Sequence, residues 1–501
     1  MEKIYKIRLR NSVVNYIPVF LLLFACEDFL EKPPQGQLTQ AAFPVTAADA
    51  LAATNAAYYT LRDGNYHFGL FPLTDIMSDD ARKGSNPGDQ ESTIGSYDKF
   101  QHINTETSLE RWWATLYQGI RRANVVIVKV QEIDMNEDLK QQYIGEAKFL
   151  RALMYFDLVR AWGGVPLVTD LNPPLDLARN SEDEIYSIIE QDLLDAIAGL
   201  PEKSEEKLSD YGRATRGAAK ALLARVYLFL GDFTNVEKYT LEMINSGEYS
   251  LEPDFVDANS VLGEQGVESV FEVGALGDKE GIENGGAFYA NVQGVRGTPN
   301  RGWGFNRPSM DLLRSFEPGD PRKDKTVIFL GEVIDGVTIL GDGLTPDVTL
   351  SGSDTLEIEC YNQKTWTPGA IVAPTQGHNR RIIRYADVLL MAAEALNENG
   401  KSAQALTYLN QVRARARGGN NTLLPDITET NKDALRDLIL KERRAELALE
   451  GLRFWDLVRT GKAETVLGPL GFVKGKHELF AVPQKEIDIS QGRLTQNPNW
   501  E

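Results

Sequence analysis

Trp303 stands in Arg301-Gly302-Trp303-Gly304-Phe305-Asn306, an indole between two glycines in a stretch without helical periodicity. A ring held on a loop in this way can lay its face against the C–H face of a sugar or against an apolar peptide side chain, because it joins a large apolar area to a polar edge. Phe288 and Tyr289 follow Gly285-Gly286, Trp366 sits in Lys364-Thr365-Trp366-Thr367-Pro368-Gly369, and Tyr66 and His67 follow Gly64-Asn65. Asp80, Arg82 and Arg301 are the charged residues with which these rings could share a polar ligand. The competing role for each ring is to pin its loop to the rest of the protein.

Covalent chemistry finds little to work with. His67, His102, His378 and His477 are scattered, with no H-E-x-x-H and no His/Cys spacing for zinc. There is no G-x-S-x-G turn, no phosphate-binding G-x-x-x-x-G-K and no G-x-G-x-x-G after a strand. Asp75, Asp79 and Asp80 lack the spacing of a calcium loop, although loop carboxylates leave room for a structural calcium. Acidic side chains are abundant enough for many pairs that could hydrolyse a glycosidic bond, yet nothing singles out one pair. The expectation is a binding protein with no catalytic residues, no metal site and no cofactor. Cys360, in Ile358-Glu359-Cys360-Tyr361, has no basic neighbour to activate it and reads as a buried thiol.

The elements that must carry these rings are mostly helices. Tyr143, Ala147, Leu150, Met154, Leu158 and Ala161 recur at helical spacing, and Gly163-Gly164 and Pro166 end the run. Ala219 to Leu230 repeats the pattern up to Gly231. Asp183 to Ala198 does so behind Ser181, which with Glu184 forms a capping box. Tyr385 to Asn399, a turn at Gly400 and Ser402 to Ala416 make a helical hairpin, and Asp433 to Glu450 is a further helix. Trp112, Trp113, Trp162 and Trp455 fall on helical core positions, and Trp500 packs the C-terminal tail. In residues 441–462 alternating charges interrupt the apolar residues. Glu442, Arg443 and Glu446 could form a catalytic cluster, but a buried ion-pair network is the better reading.

Helix pairs with Gly in the turn suggest tetratricopeptide-like packing, although no strict repeat aligns. Residues 251–381 differ: rich in Gly, Asn, Pro and Asp, they read as long loops with short strands such as Val327–Leu330 and Val333–Leu340. Loops on a rigid scaffold are where binding residues concentrate. No linker splits the chain, so residues 26–501 are expected to form one domain.

At the N-terminus Lys3, Lys6, Arg8 and Arg10 precede an apolar run from Val13 to Ala25. That run is too short to span a bilayer and has the layout of a secretory signal over residues 1–25. Leu23-Phe24-Ala25-Cys26 resembles the lipobox of bacterial lipoproteins, which implies lipid attachment (palmitate among the acyl chains) at Cys26. Losing residues 1–25 removes four positive charges and one negative, taking the net charge from −19 to −22. So acidic a surface repels nucleic acid and anionic headgroups, leaving the lipid as the membrane contact.

Several segments together resemble the SusD/RagB family of Bacteroidetes outer-membrane lipoproteins. They are C-E-D-F-L-E (26–31), E-A-K-F-L-R-A-L-M-Y-F-D-L-V-R-A-W-G-G-V-P-L-V (146–168), A-T-R-G-A-A-K-A-L-L-A-R-V-Y-L-F-L-G-D-F (214–233), G-W-G-F-N-R-P-S (302–309), E-P-G-D-P-R-K-D (317–324), R-Y-A-D-V-L-L-M-A-A-E-A-L-N-E (384–398), residues 442–462 and T-Q-N-P-N-W (495–500). The resemblance implies a mostly α fold: a tetratricopeptide-like scaffold of helical pairs with a long loop-rich insertion and a few short strands. It implies a lipid-anchored, outward-facing outer-membrane protein that captures oligosaccharides, or in some members peptides, for a SusC-like TonB-dependent transporter. It also implies a binder and not a hydrolase, and Glu27 and Asp28 resemble a surface-export signal. It assigns no ligand residues, because those vary among members.

Overall fold

The computed structural model describes residues 43–276, 288–368 and 377–500; Cys26, Glu27, Asp28 and the 1–25 segment lie outside the described residues. Ten helices carry the scaffold: α1 (Ala47–Arg62), α2 (Gly64–Phe71), α3 (Thr107–Lys129), α4 (Glu137–Trp162), α5 (Glu182–Gly199), α6 (Arg216–Leu230), α7 (Phe233–Ser246), α8 (Tyr385–Glu398), α9 (Ser402–Ala416) and α10 (Lys432–Leu447). Local signals set their ends. Ser181 caps α5 and Glu184 reaches back to its N–H at 2.8 Å. Gly231 closes α6 in the left-handed region, φ +70°, where a side chain would be strained.

From α3 to α9 each helix packs on the next one in sequence, and α1 packs on α3. The fold is mostly α, a tetratricopeptide-like stack of helical pairs. α4 runs through its middle, buried on nearly every side from Tyr143 to Trp162. Its buried charges are paired: Glu146 with Arg213 at 2.7 Å, and Arg151 with both oxygens of Asp192 at 2.7 and 2.8 Å. Trp112, Trp113, Trp162 and Trp455 join Phe454 and Phe480 in one aromatic cluster. Trp500 docks the tail, its indole N–H donating to the carbonyls of Lys476 and Leu479.

α7 meets α8 although residues 247–384 lie between them. Those residues leave and return at one place, because β2 (Ser269–Val273) pairs antiparallel with β10 (Arg380–Arg384). The strands are β1 (Ala81–Gly84), β2, β3 (Phe305–Pro308), β4 (Val327–Phe329), β5 (Val333–Ile334), β6 (Val337–Thr338), β7 (Val348–Ser351), β8 (Asp354–Ile358), β9 (Cys360–Asn362) and β10. Among the described residues every sheet is a two-stranded antiparallel pair. The alternating stretch 333–340 is not one strand. Asp335 and Gly336, at φ +52° and +77°, turn it back on itself as the β5–β6 hairpin. Cys360 is fully buried, and burial pushes its thiol up to about 12.

An ion network joins insertion to scaffold, and Glu446 of α10 is its centre. This fully buried carboxylate accepts from Arg384 at 2.6 Å, from Arg322 at 3.3 Å and from Arg415. Arg384 also holds Glu268 and Glu450, Arg322 also holds Asp320 and Glu442, and Lys364 reaches Glu450 at 2.5 Å. Arg443 donates to Asp387 at 2.7 Å. The charges in 441–462 are therefore committed to structure, partner by partner. Burial alone would raise the Glu446 carboxyl, but Arg415, Arg384 and Arg322 outweigh it and hold it well below the usual carboxylate range.

Glu446→Gln leaves three arginines short of a buried partner and is expected to lower stability by about 3–5 kcal/mol in urea unfolding. Because the folded carboxyl is held low, its contribution is present above about pH 4.3 and is lost as pH falls toward the folded value. The acid-side fall of the melting temperature should be shallower in the variant.

Candidate functional site

Trp303 lies between β3 and the short helix 288–293, in a loop that two glycines make possible. A Cβ on Gly302 would sit 2.5 Å from the Gly294 Cα and 2.6 Å from the Asn291 carbonyl oxygen. Gly304 adopts φ +74°. Backbone bonds hold the loop: Trp303 N–H to Asn291 at 2.8 Å, Gly304 N–H to Gly294 at 3.0 Å, and Ser85 N–H to Gly304 at 2.6 Å. Phe288 meets the half-buried indole edge to face, with centroids 5.4 Å apart. β3 pairs with β1, so the segment before α3 forms the other side of the site.

Beneath the loop runs a chain of buried amides and one acid. Asn306 donates to Asp75 at 3.1 Å and to Gln293 at 2.8 Å, Asn362 donates to Gln293 at 2.9 Å, and the Gly451 N–H donates to Asp75 at 2.9 Å. Burial pushes the Asp75 carboxyl up to about 6. Arg444 of α10 holds Asp80 at 2.7 Å and Asp79 at 2.9 Å, and Arg453 also grips Asp79. These bonds lock the β1 segment against the scaffold.

Trp303 opens onto a cleft of about 620 Å³ shared with Asp89, Gln90, Arg296, Asn300, Phe305, Asp342 and Leu344. Arg296 spans the two acids, donating to Asp89 at 2.8 Å and to the Ser85 hydroxyl, with Asp342 at 3.3 Å. Asp342 also accepts from the backbones of Leu344 at 2.8 Å and Thr345 at 2.7 Å. Burial favours the neutral acid, but these bonds and Arg296 prevail and keep the Asp342 carboxyl low. Several groups take no partner among the described residues: Asp89 Oδ1, the Asn300 amide and the Trp303 indole N–H. Leu344, 67% exposed, forms an apolar rim. A flat ring beside unspent donors and acceptors suits a ligand with apolar faces and polar edges.

The other expected residues fall into three settings. Trp366 and Arg301 meet each other, the guanidinium 4.1 Å from the ring centroid, while the Trp366 N–H donates to Asp335 at 2.6 Å and Arg301 to the Thr367 carbonyl at 2.9 Å. Tyr66, His67 and Tyr289 cluster around Arg380, away from the loop surface expected of them. Tyr66 and His67 belong to α2, which Asp63 caps, and Gly69 lets Trp112 close on it, so both rings turn inward. Tyr66 donates to Asp157 at 3.0 Å, and burial drops the His67 imidazole to about 3. Asp80 is fully buried on Arg444, and Arg82 is bound to Asp311 at 3.1 Å and to backbone carbonyls. These two charges hold framework in this structure and do not face the cleft.

Sequence reading missed Asp89, Gln90, Arg296, Asn300, Asp342 and Leu344. The signal available was turn chemistry, in Asn86-Pro87-Gly88-Asp89, Thr298-Pro299-Asn300 and Asp342-Gly343, but nothing local shows that these turns converge. Asp75, Asp79 and Asp80, the loop acids weighed for calcium, are spent on amides and arginines. Among the described residues no cluster of His, Cys, Asp and Glu has metal-binding geometry. A second cleft, of about 560 Å³, lies between α1 and β2, but its Arg213 is bound to Glu146 and Asn55, and its Tyr58 to the Ala214 N–H.

Comparison with known proteins gives a consistent likeness. Residues 28–228 match a family model for starch-binding proteins associating with the outer membrane, and residues 268–500 match the SusD family. SusD-like protein P2 of Formosa agariphila is 29% identical, across 98% of this chain and 100% of that protein. A laminarin binding SusD-like protein superposes with a TM-score of 0.77 at 29% identity, covering 91% of this chain and 100% of its own. Surface glycan-binding protein A from Bacteroides thetaiotaomicron, solved with laminarihexaose, does so at 0.74 and 26%, covering 90% and 100%.

Gly302→Ala tests how the loop is built. The added methyl forces the loop off Gly294, and about 1–3 kcal/mol of stability should be lost in urea unfolding.

Proposed function

The chain belongs to the SusD family, and on that premise we propose that it captures oligosaccharides at the cell surface and hands them to a SusC-like TonB-dependent transporter. The observation that carries this reading is the Trp303 cleft, where an indole lies beside unspent hydrogen-bonding groups. Relatives named for laminarin and for surface glycan binding support the ligand class. Trp366 with Arg301 is the secondary contact candidate.

In this reading residues 1–25 are a signal removed on export, and Cys26 carries the lipid. Residues 26–501 then work as one unit outside the outer membrane. Among the described residues no helix is long and apolar enough to cross a bilayer, so the lipid is the attachment proposed. The protein binds and does not cleave. Asp342 in the cleft is held low by its backbone N–H bonds and Arg296, whereas a glycosidase needs a carboxyl raised enough to donate a proton. A net charge of −22 without residues 1–25 favours one other cargo, basic peptides, through long-range steering.

Calorimetry with a panel of neutral oligosaccharides, β-glucans first, should find a binder, and Trp303→Ala should weaken it by ~10-fold or more, the scale of losing one aromatic anchor. A peptide array giving tighter, salt-sensitive binding would transfer the cargo to peptides. Fatty-acid labelling of cells should mark the wild type and leave Cys26→Ala unlabelled.

A further inference from the structure

We infer that the Trp303 cleft selects uncharged oligosaccharides and turns away those bearing uronate or sulfate groups. The inference rests on the proposed capture role of that cleft. It follows from the allocation of charge in the wall.

A site built for an anionic glycan presents a cation in excess of its own carboxylates, since the guanidinium fork matches carboxylate and sulfate oxygens. Arg296 is the one cation lining this cleft among the described residues, and its charge is already matched by the cleft's own acids. Its Nη1 donates to Asp89 at 2.8 Å and to the Ser85 hydroxyl, and its Nε faces Asp342 at 3.3 Å. Lys83, behind the wall, is buried and donates to the carbonyls of Asn86 at 3.0 Å and Asp89 at 2.8 Å, with Glu91 at 3.7 Å. Two carboxylates to one guanidinium leave the wall with a net negative charge. Asp89 is the more exposed of the two acids, its side chain 33% accessible against 4% for Asp342. A ligand carboxylate or sulfate would meet that charge at a few ångströms, inside the Debye length of about 8 Å, where salt screens only in part.

A neutral sugar meets none of this. Its hydroxyls can donate to Asp89 Oδ1 and exchange bonds with the Asn300 amide, while its C–H face covers Trp303. The bonds from the Leu344 and Thr345 backbones keep Asp342 in place whether or not a ligand is bound. The charge bias is thus fixed in the free protein.

The test uses the full chain and pairs each neutral oligosaccharide that binds with its C6-oxidised counterpart, which has the same linkage and length but carries uronates. At 150 mM salt the oxidised ligand should bind ~30-fold more weakly or worse, and raising the salt should recover only part of the loss. Asp89→Asn keeps an acceptor and removes the exposed charge, so it should narrow that ratio to ~5-fold or less, a loss common to both ligands cancelling in the ratio. Asp342→Asn, checked for its melting temperature, should narrow it in the same direction. An oxidised or sulfated oligosaccharide bound as tightly as its neutral partner, through contacts that Trp303→Ala abolishes, would overturn the charge inference and leave the capture role standing. Neutral binding that Trp303→Ala leaves unchanged would instead overturn the assignment of the cleft itself, and the selectivity with it.

Discussion

A single buried carboxylate organises much of this protein. Glu446 sits where no water reaches and is shared by Arg384, Arg322 and Arg415. A buried charge is tolerated only when its partners are complete, because desolvating an unpaired carboxylate outweighs most single stabilising contacts. Each of the three arginines comes from a different part of the chain. Arg384 closes the insertion, Arg322 lies within it, and Arg415 ends α9. The network is therefore satisfied only when insertion and scaffold stand in one arrangement. Apolar packing alone, which accepts many geometries of similar area, would specify that arrangement less sharply.

The neighbours of Glu446 on α10 extend the same constraint. Arg443 faces Asp387 of α8, and Arg444 faces Asp79 and Asp80, just before β1. Successive side chains of one helix point about 100° apart, so one charged stretch serves three directions at once. The β1 segment carries the ties to Trp303 through β3 and the Gly304–Ser85 bond. The loop that presents Trp303 is thereby braced from both sides, by glycine-permitted contact with the 288–294 backbone and by ion pairs to the scaffold. For the ligand contact proposed for Trp303 such bracing is a gain, because less ordering is left to be done on binding.

Some of this was legible in the chain itself. The long helices, their caps and the four core tryptophans follow from helical spacing and terminal residues, which act over a few positions. The 441–462 charges read correctly as ion pairs, because so many alternating charges among apolar residues must be buried together. Trp303 stood out because flanking glycines and absent periodicity are local facts. Tyr66 and His67 looked alike in sequence but lie on a helix packed through Gly69 against Trp112, 43 positions further on, which no local pattern signals. Asp80 looked like a ligand partner, and a residue of α10 had already claimed it.

The sequence by itself determined what is short-range: helix and turn chemistry, the net charge, the lipobox-like signal and the family resemblance. Only the tertiary structure decided which groups surround Trp303 and which of them are still free to bind. Asp89, Arg296 and Asp342 are up to 253 positions apart, and their charges become one wall only after β1 pairs with β3 and the 342 turn folds over it. Whether a charged side chain meets a ligand or a neighbour depends on distances of a few ångströms. Those distances are settled by packing across the whole chain, which residue identity and spacing do not encode locally.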